Sequence, residues 1–585
     1  MKAPRQIVEE IVRKAVARGI ERGAFPAAAA TVGFGVDLPK KAEHGDLATN
    51  AAFPLAKLLG QNPMEAAEKL RALALDEAGM DGHIESVTVA RPGFVNFVFS
   101  EQFRSDGLRE IFARGSGFGR TDEGRGARAN VEFVSANPTG PLHVGHGRGA
   151  VVGDVVASVL SACGYTVSRE YYVNDQGAQI RNLGASLKER IKEAAGEPFE
   201  IPADGYHGEY VRELAAELVA QKGGAAGAMA VEELSGWGSA RLLEAIGRDL
   251  ESFGIKFDVW FRESELHSRG AIKVLVEGLK SRGLAFDDPT GAVMLGAEAG
   301  REFGDDKDRV LVKSNGDATY FASDVAYHED KLKRGFSRLI NVWGADHHGY
   351  IPRVRAGIKT TGRDPAVLDV ILVQMVNVLR HGKPVAMSKR SGSFVTLREV
   401  LSEVGRDAAR VVFCMRRPDA QLDFDLEIVK RRTLDNPVFY MQYGHARICS
   451  ILRKAAAMGL TPPAYDSGLV PKLALPEERE IIKRLMFYPE ALLLCARTLE
   501  PHHLVFYINE TIGEFHGYYT KYKNTARVIS EDTQLTAARL MLCGAVRTVL
   551  ANAMGVLGVE APERMDSMPG DDAGEEARDE AKEED

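Results

Sequence analysis

Residues 135–149 read Ser-Ala-Asn-Pro-Thr-Gly-Pro-Leu-His-Val-Gly-His-Gly-Arg-Gly, and this run constrains the fold more than any other. Ahead of it, residues 129–134 are β-prone with apolar side chains at alternate positions. Behind it, residues 150–163 carry the apolar spacing of a buried helix. The stretch is therefore a strand, a loop and a helix. Pro138, Gly140 and Pro141 hold the loop away from both elements, so His143 and His146 fall at or in the first helical turn, on one face. Helix-end amides and the dipole favour an anion there, and Gly145 lets a flat ring or a phosphate approach the backbone. The implied site binds a nucleotide. A dinucleotide-binding fold competes, because Gly145-x-Gly147-x-x-Ala150 is followed by a strand-like run, 165–173, with Glu170 about where such folds place a ribose-binding acid. That motif needs its first glycine directly after the strand, whereas roughly nine residues intervene here. The plainest alternative is a structural turn holding two helix-start histidines.

A second segment decides among these readings. Ala386-Met387-Ser388-Lys389-Arg390-Ser391-Gly392 is a polar, glycine-ended loop between a strand-like run, 374–379, and a helix opening near Leu397. A lysine there can swing onto a triphosphate and offset charge moving to the bridging oxygen. His-x-Gly-His followed by Met-Ser-Lys, on these elements and in this order, resembles the two signature motifs of class I aminoacyl-tRNA synthetases.

A chain of 585 residues should hold about three or four domains. No uninterrupted apolar run reaches about 18 residues, so no membrane span is expected. The amino terminus fits neither a secretory signal nor a transit peptide, which implies a cytoplasmic protein. The five cysteines, Cys163, Cys414, Cys449, Cys495 and Cys543, have no zinc-knuckle or redox spacing and read as buried reduced thiols. The net charge is −8, and residues 566–585 alone hold ten acids and two bases, so the body balances to zero. A neutral body can still carry local basic patches.

In chain order, residues 1–107 form a small α/β domain with a helix over 6–19, helices through Leu59 and from Pro63, and strands over 84–90 and 94–99. His44 and Asp46 read as a helix-entry turn with a capping aspartate. Residues 108–128 are a glycine-rich linker. Residues 129–398 form the nucleotide domain, a Rossmann-like parallel sheet with a helical insertion over about 188–251, its second half resuming at 257–264. Asn174 and Asp175 stand in a polar turn at a strand's carboxyl end, where α/β sheets contact ligands. Asp346, His347 and His348, adjacent in sequence, cannot easily converge on one ion, so no metal site is expected. Residues 399–565 read as helical throughout. In that domain Tyr440, Tyr443 and Arg447 share a helix face, which is either core or a base-stacking surface for RNA. The acidic run 566–585 has the composition of a disordered tail.

Taken together, the chain resembles a class I arginyl-tRNA synthetase from about residue 1 to Met565. Val131-Glu132-Phe133-Val134-Ser135-Ala136-Asn137 ahead of the histidines, Tyr320-Phe321-Ala322-Ser323-Asp324, and Met387-Ser388-Lys389 carry the likeness. Asp407-Ala408-Ala409-Arg410 is similar to the four-residue signature of the family's anticodon-binding domain. The resemblance implies a multidomain fold: an N-terminal tRNA-contacting α/β domain, the catalytic domain and a C-terminal helical bundle. It implies ATP as a substrate with Mg²⁺, no tightly bound cofactor, L-arginine and tRNA(Arg) as partners, a monomer, and activation that depends on tRNA. His143, His146 and Lys389 would be catalytic, and Gly145, Met387 and Ser388 would join them around ATP. Asp324 and Glu263 would take the guanidinium, Tyr320 would pack on its plane, and Glu132 and Asn137 would hold the α-amino and carboxylate groups. His347 or His348 would add a polar contact. Tyr440, Tyr443, Arg447 and Met565 would touch tRNA. The motif departs from the family in carrying Ala386 where a first lysine is common. A synthetase for another amino acid, or a tRNA-binding paralogue without catalysis, are the alternatives.

Overall fold

The computed structural model describes residues 2–385 and 395–565. The expectations for Met387, Ser388 and Lys389 and for the acidic run 566–585 lie outside the described residues.

The first domain pairs helices with an antiparallel sheet of order β1-β2-β4-β3: β1 (Val36–Asp37), β2 (Leu47–Thr49), β3 (Ile84–Ala90) and β4 (Phe94–Phe99). Helix α1 (Pro4–Glu21) buries Ile7, Val8, Ile11, Val12, Ala15 and Val16 along one stripe against α3 (Pro63–Asp81). α2 (Ala52–Leu59) precedes α3, which starts at the Asn62 cap with Pro63 in its first turn. Ser100 caps α4 (Glu101–Arg114), where Phe103 stacks on Phe99 at 3.9 Å.

Asp46 is not a helix cap. Its carboxylate accepts from Phe99 N (2.7 Å) and Lys483 Nζ (3.0 Å), tying the end of β4 to the carboxyl-terminal domain. Arg5, bound to Glu490, makes a second such tie. The segment after α4 is packed instead of acting as a free linker. Gly119 has φ +96° and lies under the Tyr488 ring, where an added Cβ would come within 2.1 Å of carbon.

The catalytic sheet is parallel, of order β12-β11-β5-β6-β7: β5 (Arg128–Glu132), β6 (Thr166–Val173), β7 (Val259–Arg262), β11 (Arg338–Gly344) and β12 (Leu368–Val373). Its order reverses between β5 and β11, and α5 (Val144–Ala162) follows β5 at that switch. Residues 257–264 therefore belong to the sheet's first half, as the strand beside β6, and the second half begins only at β11.

The insertion lies between β6 and β7 and begins earlier than residue 188. It comprises α6 (Ala178–Ala194), α7 (Glu209–Lys222), the single turn α8 (Ala225–Ala228) and α9 (Val231–Ser252), and it has its own apolar core. Between β7 and β11 stand α10 (Glu263–Ser268), α11 (Ala271–Ser281), an antiparallel sheet and α12 (Tyr320–Lys333). That sheet is β8 (Ala285–Asp287), β9 (Val293–Leu295) and β10 (Arg309–Val312). α13 (Ile351–Thr360) follows β11.

The chain is not helical throughout from residue 399. β13 (Val376–Arg380) pairs with β14 (Lys383–Pro384) and, in parallel, with β15 (Leu422–Asp425). Leu422 and Phe424 point inward and Asp423 outward, a two-residue period too short to stand out between helices. α14 (Leu397–Val404), α15 (Arg406–Cys414) and α16 (Leu426–Val429) pack around this sheet, so a division at residue 399 would split it.

The carboxyl-terminal bundle is α17 (Pro437–Ala457), α18 (Pro476–Met486), α19 (Tyr488–Thr498), α20 (His502–Lys521) and α21 (Thr533–Leu557). α21 is long and apolar enough to cross a membrane, but 67% of its most apolar window is buried against other helices. All five cysteines are buried and free.

One buried cation joins the domains. Arg410 on α15, 1% exposed, donates to Leu557 O (2.8 Å) at the end of α21, to Phe253 O (3.2 Å) after α9, and to Asp154 Oδ2 (2.6 Å) on α5. Asp407 accepts from Gln442 Nε2 and Glu560 N. The signature aspartate and arginine thus fasten the bundle to the histidine helix. Arg410→Met removes the Asp154 Oδ2 partner and leaves two carbonyls unpaired, and should cost about 3 kcal/mol. The check is a fall in thermal midpoint with Arg169, the other partner of Asp154, left in place.

Candidate active site

The site lies along the carboxyl ends of β5, β6, β7 and β11. At one end His143 is the N-cap of α5, its Nδ1 accepting from Gly145 N (3.1 Å), while His146 Nδ1 accepts from His143 N (3.2 Å). The rings stack with centroids 3.7 Å apart. Each Nδ1 is an acceptor, so in each neutral ring the proton sits on Nε2 and makes that atom a donor. Gly147 faces Leu397 so closely that a Cβ would come within 2.6 Å of its Cδ1. Leu397 N donates to Leu142 O (2.8 Å), and Thr396 bridges His143. The segment that follows residue 394 is therefore stitched onto the histidine motif.

At the other end three carboxylates converge. Glu132 closes β5, Glu263 opens α10 after β7, and Asp324 lies on α12. Between β5 and the histidines, Val134 (φ 67°) and Ser135 (φ 40°) hold left-handed backbone, a strain concentrated where the chain leaves the sheet. Ser135 Oγ donates to Glu132 Oε1 (3.1 Å). The other Glu132 oxygen takes the ammonium of Lys331 (2.6 Å), a side chain of 0% exposure that also reaches Asn341 and the Tyr327 ring. Asp324 and Glu263 have no lysine or arginine at salt-bridge distance among the described residues. Asp324 accepts from Tyr350 Oη (2.5 Å). With its amide turned so that Nδ2 faces Glu263, Asn174 donates to Glu263 Oε2 at 3.0 Å. Burial, opposed by the Tyr350 bond and reinforced by Glu132 and Glu263, pushes the Asp324 carboxyl up to about 7. Lys331 answers Glu132, which leaves Asp324 and Glu263 without a lysine or arginine partner among the described residues.

The other sequence expectations divide. Asn137 reaches the cleft, donating to Gln179 Oε1 (2.6 Å). Tyr320 opens α12 with 62% of its surface exposed, one turn before Asp324, and its Oη is 3.3 Å from where a Cβ on Gly177 would stand. His347 does not join the acidic group. It is exposed beside Asp346 (3.7 Å) and Trp343, His348 is exposed as well, and Tyr350 at the end of the same turn makes the contact instead. Lys331 and Tyr350 were not legible as site residues. Lys331 stands in the charged run His328-Glu329-Asp330-Lys331 of a helix, and a short 3₁₀ helix hid Tyr350.

Glu170 is no ribose-binding acid. At 0% exposure it takes both Arg334 terminal nitrogens at 2.7 Å, Tyr327 Oη and Asn130 Nδ2. The dinucleotide reading fails on that contact. Glu500, His502 and His503 place ligand atoms within 4.8 Å of one another, but Glu500 is already ion-paired with the Arg417 guanidinium at 3.3 Å.

On α17, Tyr443 is only 9% exposed, and Arg447 lies over Tyr443 and Tyr519. Tyr443 thus belongs to the core side of the stripe, and Tyr440 and Arg447 remain half-exposed. Met565 lines a cavity of about 1100 Å³ with Arg406, Lys430, Arg431 and Arg564.

A histidine pair at the start of the helix after the first strand, at the reversal of a parallel sheet, fits a class I aminoacyl-tRNA synthetase. The family model described as tRNA synthetases class I (R), catalytic domain, matches residues 119–425. Residues 6–99 match the arginyl tRNA synthetase N terminal domain and residues 441–565 the DALR anticodon binding domain. Arginine–tRNA ligase of Citrifermentans bemidjiense is 47% identical over 95% of this chain and 100% of its own length. That of Syntrophotalea carbinolica is 48% identical over 91% of this chain and 94% of its own. An arginyl-tRNA synthetase structure from Campylobacter jejuni aligns with TM-score 0.72 at 32% identity, covering 80% of this chain and 100% of that one. The Thermus thermophilus enzyme shares the fold, with TM-score 0.74 at 23% identity over 96% of this chain and 100% of its own. The chain belongs to the arginyl-tRNA synthetases.

Proposed function

We propose that this enzyme activates L-arginine with ATP to arginyl-adenylate and pyrophosphate, then transfers the arginyl group to the 3′ end of tRNA(Arg). The observation that carries this reading is the pair Asp324 and Glu263, two converging carboxylates with no lysine or arginine at salt-bridge distance among the described residues, on the sheet edge that also holds the histidines. An apolar substrate would leave both charges buried and unpaired. A guanidinium answers them with a planar fork of donors.

His143 and His146 donate from Nε2 toward the α-phosphate as charge builds on it, and Lys389 neutralises the departing pyrophosphate. Gly145, Met387 and Ser388 shape the nucleotide site, and MgATP is the substrate complex. Glu132, held by Lys331, and Asn137 orient the amino-acid backbone. Tyr320 closes over the guanidinium plane. Tyr440, Arg447 and Met565 contribute to the tRNA surface, and Tyr443 supports them from beneath. The catalytic unit extends through β15, and the anticodon-binding unit begins with α17. The enzyme acts as a cytoplasmic monomer.

Because the Asp324 carboxyl sits near 7 when the pocket is empty, it holds a proton below that pH and loses its charge. Arginine kcat/KM should therefore fall by up to about tenfold per pH unit as the pH drops below about 7, and arginine binding should release a proton near neutrality. Calorimetric titration in two buffers of different ionisation enthalpy reads that proton directly. The reaction itself is tested by charging total tRNA with labelled amino acids. Acid-precipitable arginine supports the reading, and label from lysine or leucine in its place rejects it.

A further inference from the structure

We propose that Tyr350 is a positioning residue for arginine selection, its phenol holding the Asp324 carboxylate in the orientation that meets the guanidinium. The inference rests on the arginine reading above and assigns a residue to it that no sequence motif marks.

The geometry is specific. Tyr350 ends the short 3₁₀ turn Ala345–Tyr350 after β11, and its ring stands 6.1 Å from Trp343 with the Arg353 guanidinium 5.9 Å from its centroid. Its Oη lies 2.5 Å from Asp324 Oδ2, a short, charge-assisted bond. A carboxylate with one oxygen pinned cannot rotate freely, so its second oxygen keeps one direction. The charged and titratable groups around Asp324 come from every neighbouring element: Glu132 from β5, Tyr172 from β6, Glu263 from α10, Lys331 from its own helix, and Arg353 behind Tyr350. On α12 itself His328 Nδ1 meets the Asp324 backbone carbonyl at 2.7 Å, which leaves the carboxylate to Tyr350. Tyr350 is thus the one protein donor hydrogen-bonded to that carboxylate among the described residues, in a place where two other carboxylates repel its charge. A phenylalanine would pack as well. The hydroxyl is what the acid needs.

The test is Tyr350→Phe in the full-length enzyme, assayed for arginylation of total tRNA between pH 6 and 9. The proposal expects KM for arginine to rise about tenfold with kcat and KM for ATP nearly unchanged, as loss of one charge-assisted hydrogen bond gives. It also expects the acid limb of kcat/KM to move up by about one pH unit, because the bond that favoured the ionised acid is gone. In the Asp324→Asn background the same substitution should add little, since Tyr350 then has no carboxylate to hold. A matching thermal midpoint for Y350F and its parent separates these effects from a loss of fold. An unmoved acid limb with unchanged arginine KM, beside an active parent, overturns the assignment, as does an equal loss in the Asp324→Asn background. No arginine-dependent activity in the parent enzyme overturns the underlying reading and this one with it.

Discussion

Asp324→Asn should lower kcat/KM for arginine by about a thousandfold while raising the thermal stability of the free enzyme. The activity loss follows from deleting one half of a desolvated charge pair with the substrate, about 4 kcal/mol. The stability gain follows from linkage. The folded-state carboxyl stands at about 7 against its ordinary 3.8, so the native state holds a proton there that the unfolded chain has given up. Below about pH 4 both states are protonated and the group costs nothing. The penalty grows as the pH rises from there and is complete above about 7, reaching at most about 4 kcal/mol at 1.36 kcal/mol per pH unit. Asparagine keeps the shape and removes the charge. Its thermal midpoint should exceed the parent's by a few degrees at pH 8, and the difference should vanish toward pH 4. A variant that loses both activity and stability at pH 8 would mean that Asp324 holds the fold together.

The second large effect is expected at the histidines, where the choice of variant matters because both rings also build the helix start. His143→Asn retains a good N-cap, and His146→Gln retains a side chain that reaches back to the cap residue. Neither keeps an imidazole Nε2 donor. Each should lower the rate of adenylate formation by about 10² to 10³, the usual loss for one donor aimed at developing charge. Arginine KM and thermal midpoint should stay close to the parent's. Pre-steady-state formation of the adenylate measures the step itself. If the rate is unaltered in both variants, the pair is a structural cap and the phosphate lies elsewhere.

What could be read from the chain and what could not have physical reasons. His143 and His146 were legible because proline, glycine and a following apolar period fix where a helix begins, and a helix beginning fixes what the side chains flank. The strands at 84–90 and 94–99 were legible from β-prone residues on both sides of one turn. Lys331 was not, since its partner Glu132 is 199 positions away and a lysine inside a helix ordinarily faces water. Tyr350 was hidden for a similar reason, as two adjacent histidines drew the polar assignment while the turn carried the tyrosine inward. Asp46 looks like a helix cap locally, but its bond to Lys483 depends on how two domains dock. Strand β15 failed to show because four residues of alternation are too few between helical runs. The signature Asp407 and Arg410 pointed to a helical tRNA-binding domain, and the structure adds what Arg410 touches, the helix that carries the histidines.

ATP–pyrophosphate exchange by the purified protein, with each of the twenty amino acids in turn and with or without total tRNA, tests the central claim most directly. Exchange with arginine and no other amino acid is the predicted result, and a requirement for tRNA would show that tRNA binding controls the first step. Exchange with an amino acid that lacks a side-chain cation, or none under any condition, would contradict the assignment of Asp324 and Glu263 to the guanidinium.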